Sequence, residues 1–158
     1  MKTIFSTFVL LLTIVIGISS CKKSDTVQDS NIITFKATLN GASETPTNAS
    51  MATGSATYTY DKTTYILTGT LTFTGITPSA GHIHKGAVGV AGGVIFPLTA
   101  GTVTSPLIFT SPVLDVTQRT DLMAGLYYIN LHTAAFPGGE IRGQLVQQTT
   151  VSSSGSGY

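Results

Sequence analysis

Scarcity marks this chain. It holds one cysteine, three histidines and no tryptophan, and only 9% of its 158 residues are charged. The lone cysteine, Cys21, rules out an internal disulfide. Three histidines limit any imidazole-built centre to a single metal ion. Eight basic residues stand against seven acidic ones with no basic stripe, which excludes nucleic acid as a partner. No apolar run reaches the roughly 20 residues of a membrane helix, and Ile4 to Ile18 spans about 15. No βαβ rhythm occurs, so a parallel sheet is not expected. No nucleophile-elbow phrase and no glycosidase-like pair of acidic residues occurs, so a hydrolase has no specific signal. No internal repeat is visible.

What is present begins with an export signal. Lys2 supplies a short positive region, Ile4 to Ile18 the apolar stretch, and Ile18-Ser19-Ser20-Cys21 an ending of small residues. Charge, length and ending predict a secretory signal peptide over residues 1–20. The ending resembles a bacterial lipobox. That resemblance implies a diacylglycerol on Cys21, cleavage before it and acylation of the new terminus. The alternative is an ordinary signal peptide with a chance cysteine. Acylation also accounts for a single thiol in an oxidising compartment, and several acyl chains anchor firmly at about 0.8 kcal/mol per buried methylene. Residues 21–31 are polar and aperiodic, and read as the lipidated cysteine with a tether. Lys22 stands where a lipoprotein retained at the inner membrane often carries Asp, so the expected location is the cell envelope, at the outer membrane. The leaflet is left open. Loss of Lys2 with the signal leaves seven basic and seven acidic residues. Asn48-Ala49-Ser50 matches a glycosylation acceptor, which in a bacterial lipoprotein is chance. Residues 149–158, rich in Ser and Gly, read as a flexible tail.

Between tether and tail, residues 32–148 read as one all-β domain. Ile33 to Leu39 alternates apolar and polar residues, as a half-buried strand does. Gly54 to Tyr60 puts Ala56, Tyr58 and Tyr60 on one face, and with Tyr65 to Ile76 it predicts a hairpin around Asp61-Lys62. Ala87 to Gly93 is too glycine-rich for a regular strand. Pro97 confines Val94 to Leu98 to an edge or a strand end. Leu107 to Phe109 is another short strand. Asp115 to Ala124 is the one helix candidate, with Asp115 as N-cap, Gln118 completing a capping box and Gly125 ending it. Leu126 to Thr133 and Glu140 to Gln147 finish the domain as strands. About seven to eight antiparallel strands and one short helix predict a Greek-key β-sandwich.

Alternation also assigns faces. Tyr127, Ile129, Leu131, Ile141 and Leu145 point inward. Pairing Leu131 with Ile141 sets Asn130 opposite Arg142, Tyr128 opposite Gln144 and His132 opposite Glu140. Ile83 points inward and turns His82 and His84 outward. All three histidines, with Asn130, Glu140 and Arg142, are therefore expected on the face away from the core.

Four phrases carry a family resemblance: Leu39 to Pro46, Gly81-His82-Ile83-His84-Lys85-Gly86, Gly125 to Thr133, and Pro137 to Leu145. In this order they resemble the CHRD domain, named for chordin and common in bacterial secreted proteins. The resemblance spans roughly residues 32–147. It implies an extracellular binding protein and, in bacteria, no settled activity. A looser layout is similar to Cu/Zn superoxide dismutase: an H-x-H pair, a distant histidine and a late arginine. By that likeness His82, His84 and His132 would be copper ligands and Arg142 an anion guide. The departures are large, since three histidines cannot build that family's two-metal site and its disulfide is impossible here.

Two function classes follow. One is a lipid-anchored, non-catalytic interaction module that binds an envelope or extracellular protein or other ligand, with no catalytic residues. In it the histidines only satisfy loop carbonyls, and Glu140 and Arg142 are either an exposed pair on neighbouring strands or covered by a loop, with Arg142 tying down backbone carbonyls and shaping the Ala134 to Gly139 turn. The other is a mononuclear protein holding one Cu or Zn ion on His82, His84 and His132, with a superoxide-dismutase-like or copper-handling role. Glu140 would then be a fourth ligand or the acceptor that fixes the His132 tautomer, with Arg142 and Asn130 in support. A purely structural spacer is the third reading.

Overall fold

The computed structural model describes residues 31–100 and 103–149. The expected signal peptide, Cys21 and the tether up to residue 30 lie outside the described residues, as does the tail beyond Thr149. Among the described residues nine strands run in order: β1 (Ile32–Asn40), β2 (Thr53–Asp61), β3 (Ile66–Thr74), β4 (Ala80–Lys85), β5 (Val94–Ala100), β6 (Leu107–Thr110), β7 (Tyr127–His132), β8 (Ile141–Gln144) and β9 (Val146–Gln147). A helix, α1 (Val116–Met123), joins β6 to β7.

All strand pairs are antiparallel and belong to one sheet, ordered β5-β4-β7-β8-β1-β2-β3-β6, with β9 on β1. The sheet curls until its ends approach. Phe96 of β5 and Phe109 of β6 bring their rings to 5.9 Å across the seam. The fold is therefore all-β, as the spacing of strands and turns predicts, in a rolled, nearly closed form. Inside the roll lie Phe35, Leu39, Tyr58, Leu67, Leu71, Ile83, Tyr127, Ile129, Leu131, Ile141 and Leu145, all buried. Each occupies the parity that alternation assigns to the core.

Two local features follow from single residues. Asp115 accepts from the Gln118 N–H at 2.8 Å while the Gln118 side chain accepts from the Asp115 N–H, a closed capping box. At the other end Gly125 sits at φ +69°, and Leu126 N–H reaches back to Asp121 O, a Schellman ending that favours glycine. The expected final strand is split. β8 pairs with β7 as far as Gln144 and with β1 at Arg142, and β9 continues along β1 alone. Leu145 stays inward between them and donates its N–H to Tyr127 O.

The predicted register holds in the last hairpin: Leu131 faces Ile141, Asn130 faces Arg142 and Tyr128 faces Gln144. β4 extends the rows, with His82 opposite Asn130 and His84 opposite Tyr128. One row across the outer face therefore reads His82, Asn130, Arg142, Asn40. This face points away from the core, yet it is not a solvated surface. Arg142 is 2% exposed, Asn130 3%, His84 8% and Glu140 8%. Loops cover it, and the result is a second interior that is polar.

Candidate metal centre

β4 supplies His82 and His84 two residues apart, on one face of the strand. β7 supplies His132, whose backbone faces Ala80. The twist between the strands gathers the three rings. Centroids lie 4.8 Å apart for His82–His132, 5.4 Å for His82–His84 and 6.2 Å for His84–His132. One ring nitrogen from each lies within 4.8 Å of the others. Tetrahedral zinc at about 2.0–2.1 Å from each nitrogen wants them roughly 3.4 Å apart, so small ring rotations would suffice.

Backbone carbonyls fix two tautomers. His84 Nδ1 is 2.9 Å from Gly92 O, and His132 Nδ1 is 2.9 Å from Pro137 O. A carbonyl only accepts, so both Nδ1 atoms carry hydrogen and both Nε2 atoms present lone pairs. His132 Nε2 lies 2.9 Å from His82 Nδ1, which must then be the donor in that pair. Holding an ion would need one tautomer shift, moving the His82 proton to Nε2. His84 Nε2 is buried and has no hydrogen-bond partner. Burial lowers the pKa of His82 and His84, and their imidazole neighbours push it further in the same direction. For His84 the Gly92 carbonyl and the Asn130 amide pull it back in part, though no aligned hydrogen bond joins Asn130 to the ring. The rings are thus kept in the neutral, metal-ready form.

His84 is clamped from behind. Its ring stacks on Tyr128 at 5.0 Å with 9° between planes, and the Arg142 guanidinium lies 3.4 Å from the Tyr128 centroid. Tyr128 Oη accepts from Gly92 N–H at 3.0 Å, so Gly92 serves both rings. Arg142 donates to Ala87 O at 2.9 Å and Val90 O at 3.0 Å, and to Thr45 Oγ1 at 3.3 Å. It therefore ties down the β4–β5 loop.

Three sequence expectations need correction. Glu140 does not fix the His132 tautomer, since Pro137 O does. Both Glu140 oxygens are engaged elsewhere, Oε1 by Ser50 Oγ at 2.7 Å and Oε2 by the Thr133 hydroxyl. Glu140 and Arg142 are not an exposed pair; each is buried and bonded to other groups. A loop does cover them and Arg142 does tie down backbone carbonyls, but those of Ala87 and Val90 rather than those of the Ala134 to Gly139 turn. That turn is held by Asn48 Nδ2, which donates to Glu140 O at 3.0 Å and Gly139 O at 3.4 Å, together with the His132 ring. A strand pattern assigns parity but cannot say which loop folds over which face.

Two contributors went unrecognised. Gly92 lies in a stretch whose glycines all look alike in sequence. Glu44 is buried, and desolvation raises its carboxyl pKa against the opposing pull of Thr45 N–H and Arg142. Its one signal is the phrase Leu39 to Pro46, conspicuous only as part of the resemblance.

The family model of the CHRD domain matches residues 35–145. This chain belongs to the CHRD family. The CHRD match contains the three histidines together with Asn130, Glu140 and Arg142. No curated protein and no solved structure matches the chain. Within the CHRD domain the chemistry on offer is ligation: three imidazoles converge, and two have their Nε2 lone pairs directed by backbone.

Proposed function

We propose that this chain is a CHRD-domain protein of the cell envelope, carried on lipid at Cys21, whose domain holds one copper or zinc ion through His82 Nδ1, His84 Nε2 and His132 Nε2. The observation that carries the reading is the His84 ring. One nitrogen is bonded to Gly92 O and the other is buried beside two more imidazoles with nothing to bond. A buried acceptor without a donor is costly, of order 1–3 kcal/mol, and a cation at that point removes the cost. Three imidazoles suit Zn or Cu. The role is to hold or hand on the ion rather than to turn over a substrate.

The purified chain is expected to bind one equivalent of Cu(II) or Zn(II) by calorimetry and to melt higher when loaded. His84→Ala should abolish both effects. A chain that takes up neither ion, with melting unmoved by either, sinks the reading. Labelled fatty acid should enter the chain in bacterial cells and fail to enter Cys21→Ser; equal labelling of the two would remove the lipid anchor.

A further inference from the structure

Beside the orphaned nitrogen of His84 lies a second orphan. Asn130 sits between His82 and Arg142 in the row across β4, β7 and β8, and it is buried. Its Oδ1 is enclosed and has no hydrogen-bond partner. Its Nδ2 packs over Gly139 next to Glu44 Oε1, where a Cβ on residue 139 would collide with both. The amide nitrogen thus faces the Glu44 carboxyl, whose Oε1 is also unpartnered, and the amide oxygen points the other way. His84 and Asn130 are diagonal neighbours on one face of β4 and β7, and each presents a buried acceptor with no donor bonded to it. A bare ion would satisfy the imidazole lone pair but would leave the amide oxygen short of a proton donor. An amide oxygen is also a weak ligand for copper or zinc compared with imidazole. Water bound to such an ion is a strong donor, because the ion withdraws charge from it. One hydrated ion satisfies both orphans at once. Glu140 cannot take this part, since both its oxygens are occupied.

We infer that the fourth coordination position at the three-histidine centre holds an exchangeable water whose O–H is accepted by Asn130 Oδ1, leaving the site open to small monodentate anions. This rests on the metal-centre reading above. It makes Asn130 a positioning residue.

Azide added to the Cu(II)-loaded full chain tests it. In the wild type a saturable azide-to-copper charge-transfer band is expected, together with enhanced solvent-proton relaxation from an exchanging inner-sphere water. Asn130→Ala removes the acceptor that holds the water, so azide should displace it more readily, tightening about threefold to tenfold, the worth of one hydrogen bond. Asn130→Asp should act in the opposite sense, because its charge holds the water and repels azide. A merely structural role for Asn130 would move both variants the same way. No azide band and no relaxation enhancement in the loaded wild type overturns the open position, and needs no variant to fold. Azide affinity shifting alike in both variants, or in neither, overturns the role of Asn130. A chain that takes up no copper fails earlier, at the metal centre, and is told apart by its empty metal content.

Discussion

Gly92 is held by three neighbours at once. Its carbonyl accepts from His84 Nδ1, its N–H donates to Tyr128 Oη, and a Cβ would run into the carbonyl oxygen of Lys85. Backbone is what such a Cβ meets, so no side-chain rotation relieves it. Gly92→Ala is expected to destabilise the chain by roughly 2–4 kcal/mol, read by urea denaturation. It should also weaken Cu(II) or Zn(II) binding by about tenfold or more through the loosened His84 ring. An unchanged denaturation midpoint would show that the loop gives way freely. None of this was legible in the sequence, where Gly86, Gly89, Gly92 and Gly93 form an undifferentiated run. The histidines were legible for the opposite reason. Their chemistry is rare in this chain, and a spacing of two on a strand has one geometric meaning.

Among the elements, α1 was the easiest to read, because its ends are written in side chains. The capping box of Asp115 and Gln118 and the left-handed Gly125 occupy the positions their chemistry dictates. Asp115→Ala should cost about 1 kcal/mol, again from denaturant midpoints. A loss below a few tenths would mean that packing of Leu122 holds the helix without its cap. Strand faces were legible as well, and the expected pairing of Leu131 with Ile141 holds. The break between β8 and β9 was not. Leu145 keeps its inward parity and β1 partners both pieces in one register, so the period-two pattern runs on unbroken. Alternation records which way a side chain points and is silent about which neighbour takes the backbone hydrogen bonds.

At the scale of the whole molecule, the polar interior behind the sheet ties stability to pH. His82 and His84 have folded-state pKa values below their ordinary 6.5, chiefly through burial. The unfolded chain therefore binds more protons in the window below 6.5, and stability rises with pH there. The contribution is complete above about pH 6.5 and is lost as pH falls through the lowered values. Glu44 works in the other direction, since its raised carboxyl pKa means that acidification relieves a buried charge. With metal chelated, the melting temperature should fall from about pH 7.5 to about pH 5.5, and replacing His82 and His84 together by Gln should flatten that slope. A slope identical in wild type and double variant would assign it elsewhere. The sequence foretold the all-β class and the grouping of the three histidines on one face. A loop over Glu140 and Arg142, with Arg142 tying down backbone carbonyls, was one of two readings the sequence allowed; which loop does so was not legible, because it depends on long-range ties such as Arg142 to Ala87 and Val90. The rolled sheet carries one more implication, at its seam. Among the described residues the nearly closed sheet has two unpaired edges, β5 and β6, and such edges are templates for pairing between copies. Here Pro97 removes a backbone donor from β5, the β4–β5 register slips twice beside it, and β6 offers only four residues. Both edges are poor templates, so the fold resists edge-to-edge aggregation when many copies crowd together.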